Sequence, residues 1–171
     1  MGNEEIFNQM ARKYDTEERI QISDVIIDEI KKHIKSGEGK TAVDFGCGTG
    51  LIGLPLASMF GKMLLIDSSE NMVELACEKI EGGHIKNAEA AAIDLSKEAV
   101  ATKADYIFAV QVLLHIKDYK EILFRLFSML NPGGRLIIVD FDKNSNVISD
   151  MVHNGFNQHE LGNELKEIGF R

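Results

Sequence analysis

The sequence predicts an α/β domain built on a doubly wound, parallel sheet. Short apolar runs alternate along the chain with segments of helical periodicity. The first of these runs ends in a glycine-rich turn, Gly46-Cys47-Gly48-Thr49-Gly50, and three of the runs end on aspartate. Such alternation implies right-handed crossovers and a sheet covered by helices on both faces. A chain of 171 residues without repeats, low-complexity stretches or linkers suits one domain spanning 1–171.

The elements follow in order. Apolar residues at 22, 25, 26, 30 and 34 recur at helical spacing, so residues 1–36 are expected to form a helical cap on an α/β core, 37–171. TAVDF (41–45) is a short buried strand, and a helix is expected over about 51–59, with Pro55 removing one of its backbone bonds. KMLLID (62–67) is the second strand. Residues 69–81 fit a helix capped by Ser69, with Met72, Val73, Leu75, Ala76 and Ile80 on its apolar face. IKNAEAAAID (85–94) reads as the third strand, although its alanines also suit a helix. ADYIFAV (104–110) is the fourth. YKEILFRLFSML (119–130) is a helix that stops at Asn131-Pro132-Gly133-Gly134. GRLIIVDFD (134–142) is the fifth strand, and 157–168 a final amphipathic helix.

Composition excludes several classes of function. Hydrophobic residues make up 44% and charged residues 27%, as in an ordinary soluble domain. A net charge of −8 leaves no basic face for phosphate backbones, so no nucleic-acid partner is expected. Cys47 and Cys77 are too few for a disulfide framework and have no zinc spacing. His153 and His159 are six apart, not a helical ligand pair, so no metal is expected. No run approaches the roughly 18 apolar residues of a membrane span. The opening MGNEEIFNQM is acidic and polar rather than leader-like, and a cytoplasmic, reduced protein is the expectation.

In a doubly wound sheet the ligand sits beyond the carboxyl ends of the strands, so the residues just after each strand carry the functional signal. Glycines after the first strand let the backbone turn with positive φ and approach a ligand without a Cβ in the way. Asp67, after the second strand, is placed to accept hydrogen bonds from ribose hydroxyls. Asp94 follows the third strand, Val110-Gln111 the fourth, and Asp140 to Asp142 the fifth. Carboxylates around one crevice favour a ligand with hydroxyls, amines or positive charge over a polyphosphate.

These segments carry a family resemblance. VDFGCGTG (43–50) resembles the first motif of class I S-adenosylmethionine-dependent methyltransferases, an acidic residue followed by GxGxG. IDSSENMV (66–73) is similar to that family's ribose-binding turn, and Asp94 in AAIDL matches its adenine contact. ADYIFAVQVLLHIKD (104–118) and LNPGGRLIIVDF (130–141) resemble its fourth-strand segment and its fifth strand. The resemblance runs from about residue 7 to 171 and is nearest to small bacterial members acting on quinones and other small metabolites. It implies a Rossmann-like fold of the class I type, S-adenosylmethionine as cofactor, and a small-molecule methyl acceptor.

Carried over residue by residue, the resemblance implies that Asp44 and the loop of Gly46, Cys47, Gly48 and Gly50 hold the methionine end of the cofactor. Asp67 would take the ribose hydroxyls, and Ser68 and Met72 would border the adenine. Ile93 and Leu95 would sandwich that ring while Asp94 accepts from its amino group. Val110 and Gln111 would meet the α-ammonium, and Tyr14 and Asp15 match a segment that folds over the cofactor in relatives. His115 is the candidate base, although Leu114 stands where many relatives have the first of two histidines. In-line transfer needs mainly positioning, with a base only where the acceptor must lose a proton.

Plainer readings stand beside these. Asp44 can cap a turn, Asp67 and Asp94 can start helices, Cys47 can be only a small side chain, and Tyr14 and His115 can simply pack. Gly48-Thr49-Gly50-Leu51-Ile52-Gly53 also satisfies the GxGxxG of nicotinamide enzymes, but there the first glycine follows the strand almost directly. A non-catalytic binder of the cofactor or its demethylated product is another alternative, as is a methyltransferase acting on protein or RNA. Family members usually add an antiparallel hairpin after the final helix, whereas ELKEIGFR (164–171) reads as that helix and its glycine cap. The expectation is a truncated fold whose fifth strand is an apolar edge open to self-association.

Overall fold

Among the described residues, five strands form one sheet in the order β3-β2-β1-β4-β5. They are β1 (Thr41–Phe45), β2 (Lys62–Asp67), β3 (Ala88–Ala92), β4 (Ala104–Val110) and β5 (Leu130–Val139). In the computed structural model of the chain, which describes residues 3–149 and 152–171, every one of these pairings is parallel. The described residues also form six α-helices: α1 (Asn3–Met10), α2 (Glu17–His33), α3 (Gly53–Leu56), α4 (Glu70–Gly82), α5 (Tyr119–Met129) and α6 (Gln158–Ile168). The sheet order places the switch point at β1 and β4, where the chain turns from building one half to building the other.

The period-2 alternation of the central strands divides the core into two layers. Val43, Phe45, Ile107 and Ala109 face one way, against Ile122, Leu123 and Leu126 of α5, with Leu161 and Leu165 of α6 alongside. Ala42, Leu65, Tyr106 and Phe108 face the other, against Ile27 and Ile30 of α2 and Leu56 of α3. Within residues 1–36, then, α2 belongs to the sheet's covering layer, while α1 and the turn after it reach across to α4.

Several boundaries differ from the sequence expectation, each for a local reason. α2 begins at Glu17 because Thr16 caps it, its Oγ1 accepting from Arg19 N at 3.3 Å; a polar first turn gives no apolar signal. Its buried stripe runs through Ile27 and Ile30, while Ile22 and Val25 stay 44% and 72% exposed. The first crossover is one α-turn and a 3-10 turn, Ala57–Met59, around Pro55. β5 starts at Leu130 and runs through the expected turn, with a register shift between the pairs Ala104/Leu130 and Tyr106/Arg135. Asn131 Nδ2 donates to Asp105 Oδ1 at 3.1 Å and ties the irregular stretch to β4.

β5 is an edge strand, and no strand covers its outer side among the described residues. Leu136 to Val139 are only half-buried, despite forming one of the most apolar runs in the sequence. Past its end the chain returns on itself: Phe156 N donates to Phe141 O at 2.9 Å and Asn144 N to Asn154 O at 2.7 Å. No helix among the described residues is long and apolar enough to cross a membrane.

Candidate functional site

A cavity of about 230 Å³ opens at the carboxyl ends of the strands. Its floor starts where β1 ends. Gly46 N and Cys47 N both donate to Ile66 O, at 2.8 and 3.0 Å, so the loop folds across the end of β2. Gly46 holds φ at +71°, and a Cβ there would lie 2.2 Å from the Val112 side chain. Only glycine permits this turn and this approach. At the end of β2, Asp67 Oδ2 accepts from Gly48 N at 2.8 Å and Oδ1 from Ser69 N at 2.9 Å. Burial raises the Asp67 pKa, and the backbone N–H groups of Ser69 and Gly48 oppose that rise. Ser69 caps α4 by accepting from Met72 N at 3.2 Å, which seats buried Met72 beside the cavity.

The wall beyond β3 is set by one backbone bond, Ile93 N to Asp67 O at 2.8 Å. Ile93, Asp94 and Leu95 line the cavity there, with Ser68 across from them on β2's turn. Asp94 accepts from Ser96 N at 2.9 Å and pairs with Lys97 at 2.8 Å. Partial burial would raise its pKa, but the bonds from Lys97 and Ser96 outweigh that and hold it below the usual carboxylate range. Beyond β4, Val110 and Gln111 line the cavity, and Gln111 N donates to Val139 O at 2.7 Å. Gln111 has φ of +51°, an uncommon conformation for a non-glycine residue and one often found at functional sites.

Asp44 lies behind the loop, and Cys47 and Gly50, within it, do not line the cavity. Asp44 is 2% exposed, and its Oδ2 accepts from Gly53 N at 2.9 Å. Burial pushes its pKa up to about 7, against the Gly53 hydrogen bond. A Cβ on Gly53 would sit 2.6 Å from that oxygen, so this glycine serves the close approach of α3 to β1. Burial likewise pushes the Cys47 thiol up. Gly50 faces the Leu54 side chain, which a Cβ there would meet at 2.7 Å.

The N-terminal segment crosses the mouth of the cavity and is tied down at two places. Asn8 Oδ1 accepts from Ser69 Oγ at 2.6 Å and Asn71 N at 3.2 Å, joining α1 to the start of α4. Asp15 accepts from Thr49 Oγ1 at 2.5 Å and pairs with Lys79 at 2.6 Å. Between these ties Tyr14 lies over the glycine loop, with Arg19 4.1 Å from its ring centroid. Burial raises the Tyr14 pKa, opposed by Arg19. Glu4 and Phe7 of α1 also line the cavity.

His115 stands on the turn Leu113–His115, its ring edge-on to Phe7 at 5.0 Å. Burial depresses its pKa, and Arg19 adds to the effect, so the imidazole is neutral at pH 7. The turn is held from both sides. Leu114 N donates to Asp140 Oδ2 at 3.3 Å, and His153 N donates to Leu114 O at 2.7 Å. His153 Nε2 lies 2.8 Å from Ile116 O; a carbonyl only accepts, so Nε2 carries the proton.

Of the residues singled out in the sequence, Tyr14, Gly46, Gly48, Asp67, Ser68, Met72, Ile93, Asp94, Leu95, Val110, Gln111 and His115 meet at this one cavity. Glu4, Phe7, Val112, Ile116 and Ile122 line it as well, and sequence reasoning missed them. Val112 and Ile116 lie within the fourth-strand segment 104–118, and Phe7 opens the stretch that carries the resemblance, so their places in the sequence were usable signals; Glu4 had none. No group of three His, Cys, Asp or Glu side chains suited to a metal occurs among the described residues.

A family described as "methyltransferase domain" matches residues 36–168. An uncharacterized methyltransferase of Schizosaccharomyces pombe is 30% identical over 149 residues, covering 82% of this chain and 52% of that protein. Phosphoethanolamine N-methyltransferase 1 of Triticum aestivum is 28% identical over 141 residues, covering 77% of this chain and 28% of that protein. The chain thus spans about half the length of the first relative and less of the second. The crystal structure of an S-adenosylmethionine-dependent methyltransferase from Aquifex aeolicus superimposes with a TM-score of 0.78 at 25% identity, covering 96% of this chain and 88% of that one. With the parallel sheet, the glycine loop and the strand-end aspartates in that family's order, the chain belongs to the class I S-adenosylmethionine-dependent methyltransferases.

Proposed function

We propose that this chain binds S-adenosylmethionine in the strand-end cavity and transfers its methyl group to a small-molecule acceptor. The observation that carries the reading is Asp67, a carboxylate held by Gly48 N and Ser69 N at the rim of a loop whose glycines leave the backbone bare. Each of its oxygens keeps a lone pair for a ribose hydroxyl. Asp94 suits the adenine amino group, and Ser68, Met72, Ile93 and Leu95 offer the ring a largely apolar slot. Gly46, Gly48 and the backbone carbonyls of Val110 and Gln111 would hold the methionine end, with Cys47 and Gly50 completing the loop and Asp44 supporting it from behind. No Lys or Arg lines the cavity among the described residues, which speaks against nucleic acid as substrate.

When bound, this cofactor supplies a methyl group already activated as a sulfonium, whose bonding pair stays on sulfur after transfer. The protein's part is placement: the loop after β1 and the wall after β4 orient the two reactants, and alignment of this kind is worth about 7–11 kcal/mol of barrier. Phe7 and Tyr14 roof the cavity and exclude water. His115, neutral at pH 7, takes the acceptor's proton on an imidazole nitrogen where the acceptor must lose one.

Calorimetric titration tests the reading. S-adenosylhomocysteine and S-adenosylmethionine are expected to bind with 1:1 stoichiometry and NAD far more weakly. Tight NAD binding with neither sulfur ligand taken up would overturn it.

Two further parts of the proposal concern context. The free thiols of Cys47 and Cys77 suit a reducing, cytoplasmic setting. The open edge of β5 suits antiparallel pairing with the same strand of a second copy about a twofold axis. Light scattering is then expected to show mass rising toward a dimer with concentration; a constant monomer mass would remove that contact.

A further inference from the structure

We infer that the methyl acceptor is an uncharged, largely apolar molecule presenting a hydroxyl, and neither a phosphate- or carboxylate-bearing anion nor a cationic amine. The inference rests on the methyltransferase reading above and on how charge is distributed along the cavity.

The sheet order sets that distribution. Asp67 and Asp94 follow β2 and β3, on one side of β1; β4 and the residues after it lie on the other. Glu4 belongs with the first side, since its charge acts on Asp67 and Lys97. The carboxylates therefore gather where the cofactor's ribose and adenine are assigned. The opposite end is walled by Phe7, Val112, Ile116 and Ile122, with Gln111 and His115 supplying its polar groups.

An anionic acceptor finds no counter-charge on that wall. No Lys or Arg lines the cavity among the described residues. Lys97 is paired with Asp94 at 2.8 Å, and Arg19, although near enough for its charge to act on His115, is set over the Tyr14 ring at 4.1 Å and does not line the cavity. Removing a phosphate or carboxylate from water into such a site is strongly unfavourable without a partner. A cationic amine fares no better, because no carboxylate lines the apolar end among the described residues and a protonated amine has no lone pair to accept a methyl group. A neutral hydroxyl suits the groups present: the Gln111 amide and the His115 imidazole each both donate and accept, and the apolar body of the ligand meets apolar side chains. The contrast with the wheat relative is direct, since the phosphate of phosphoethanolamine would lie among these side chains unpaired.

The test uses three ligands of one shape on the full chain saturated with S-adenosylhomocysteine: 4-ethylphenol, 4-ethylphenyl phosphate and 4-ethylbenzylamine. Affinities are read by ligand-detected NMR titration at pH 7.5. The phenol is expected to bind at least tenfold more tightly than either charged ligand. Ile116→Lys, checked for retained S-adenosylhomocysteine affinity, is expected to shift the preference toward the phosphate at least tenfold. Phosphate or amine binding as tightly as phenol in the wild-type protein overturns the inference, as does failure of all three to bind. Failure of S-adenosylhomocysteine itself, read before any phenol is added, overturns the cofactor reading and this inference with it.

Discussion

The cofactor end of the cavity and its acceptor end are held in place by different means. At the cofactor end, Gly46, Cys47, Gly48 and Ile93 are all fixed by hydrogen bonds to the end of β2, within one parallel sheet. At the acceptor end, Phe7 comes from α1, His115 from the turn after β4, and that turn is pinned by Asp140 and by His153 from beyond β5. One end inherits its geometry from strand register, which the buried core enforces. The other depends on the docking of segments far apart in the chain, each held by a few hydrogen bonds. The first can stay constant while the second is altered, which is how one cofactor site can serve many acceptors.

The largest expected effect falls on the register-held end. Asp67→Ala should lower S-adenosylhomocysteine affinity by about 2–4 kcal/mol, two charged hydrogen bonds at the lower part of their range. Burial already strains this carboxylate, so the fold should survive, as circular dichroism will show. Unchanged affinity in the folded variant would remove Asp67 from the site.

Next in size is a pH dependence seated behind the loop. The Asp44 pKa is about 7 in the folded protein, against about 3.9 in an unfolded chain. Between those values the unfolded chain has released a proton that the folded one keeps, so this group's contribution to stability falls as pH rises and levels off above about 7. Its slope is at most about 1.4 kcal/mol per pH unit. Asp44→Asn should retain a hydrogen bond from Gly53 N and lose the decline. Urea unfolding of the ligand-free proteins should therefore show the variant gaining on the wild type from pH 4.5 to 7.5; parallel profiles would show Asp44 ionised throughout.

The smallest effect belongs to the docked end. His153→Ala removes the bond to Ile116 O and should cost about 1 kcal/mol of stability. Affinity for S-adenosylhomocysteine should stay within about twofold, and the Ile116 region should exchange amide hydrogens faster. An equal loss of cofactor affinity would show that the two ends are mechanically one.

How legible each part was in the sequence follows the same division. TAVDF, KMLLID and ADYIFAV coincide with β1, β2 and β4, because strands buried on both faces read as apolar runs with sharp ends. β3 is shorter than its run, since its alanines carry little β preference. α1 carries a short apolar pattern, Ile6, Phe7 and Met10, that does not reveal its neighbour; it is joined to α4 through Asn8, a contact between residues more than sixty positions apart. His153 looked like half of a failed metal pair, and its partner is a backbone carbonyl 37 residues away.

By itself the sequence determined the parallel α/β sheet, the glycine loop that needs positive φ, and the aspartates that close its strands. Those features are local: a residue's place after a strand follows from hydrophobic period and chain order alone. Only the tertiary structure decided that Asp44 supports Gly53 rather than facing the cavity, that Phe7 meets His115, and that no Lys or Arg lines the cavity among the described residues. Each of these depends on which distant side chains the folded chain brings within a few ångströms, and a one-dimensional pattern carries no record of that.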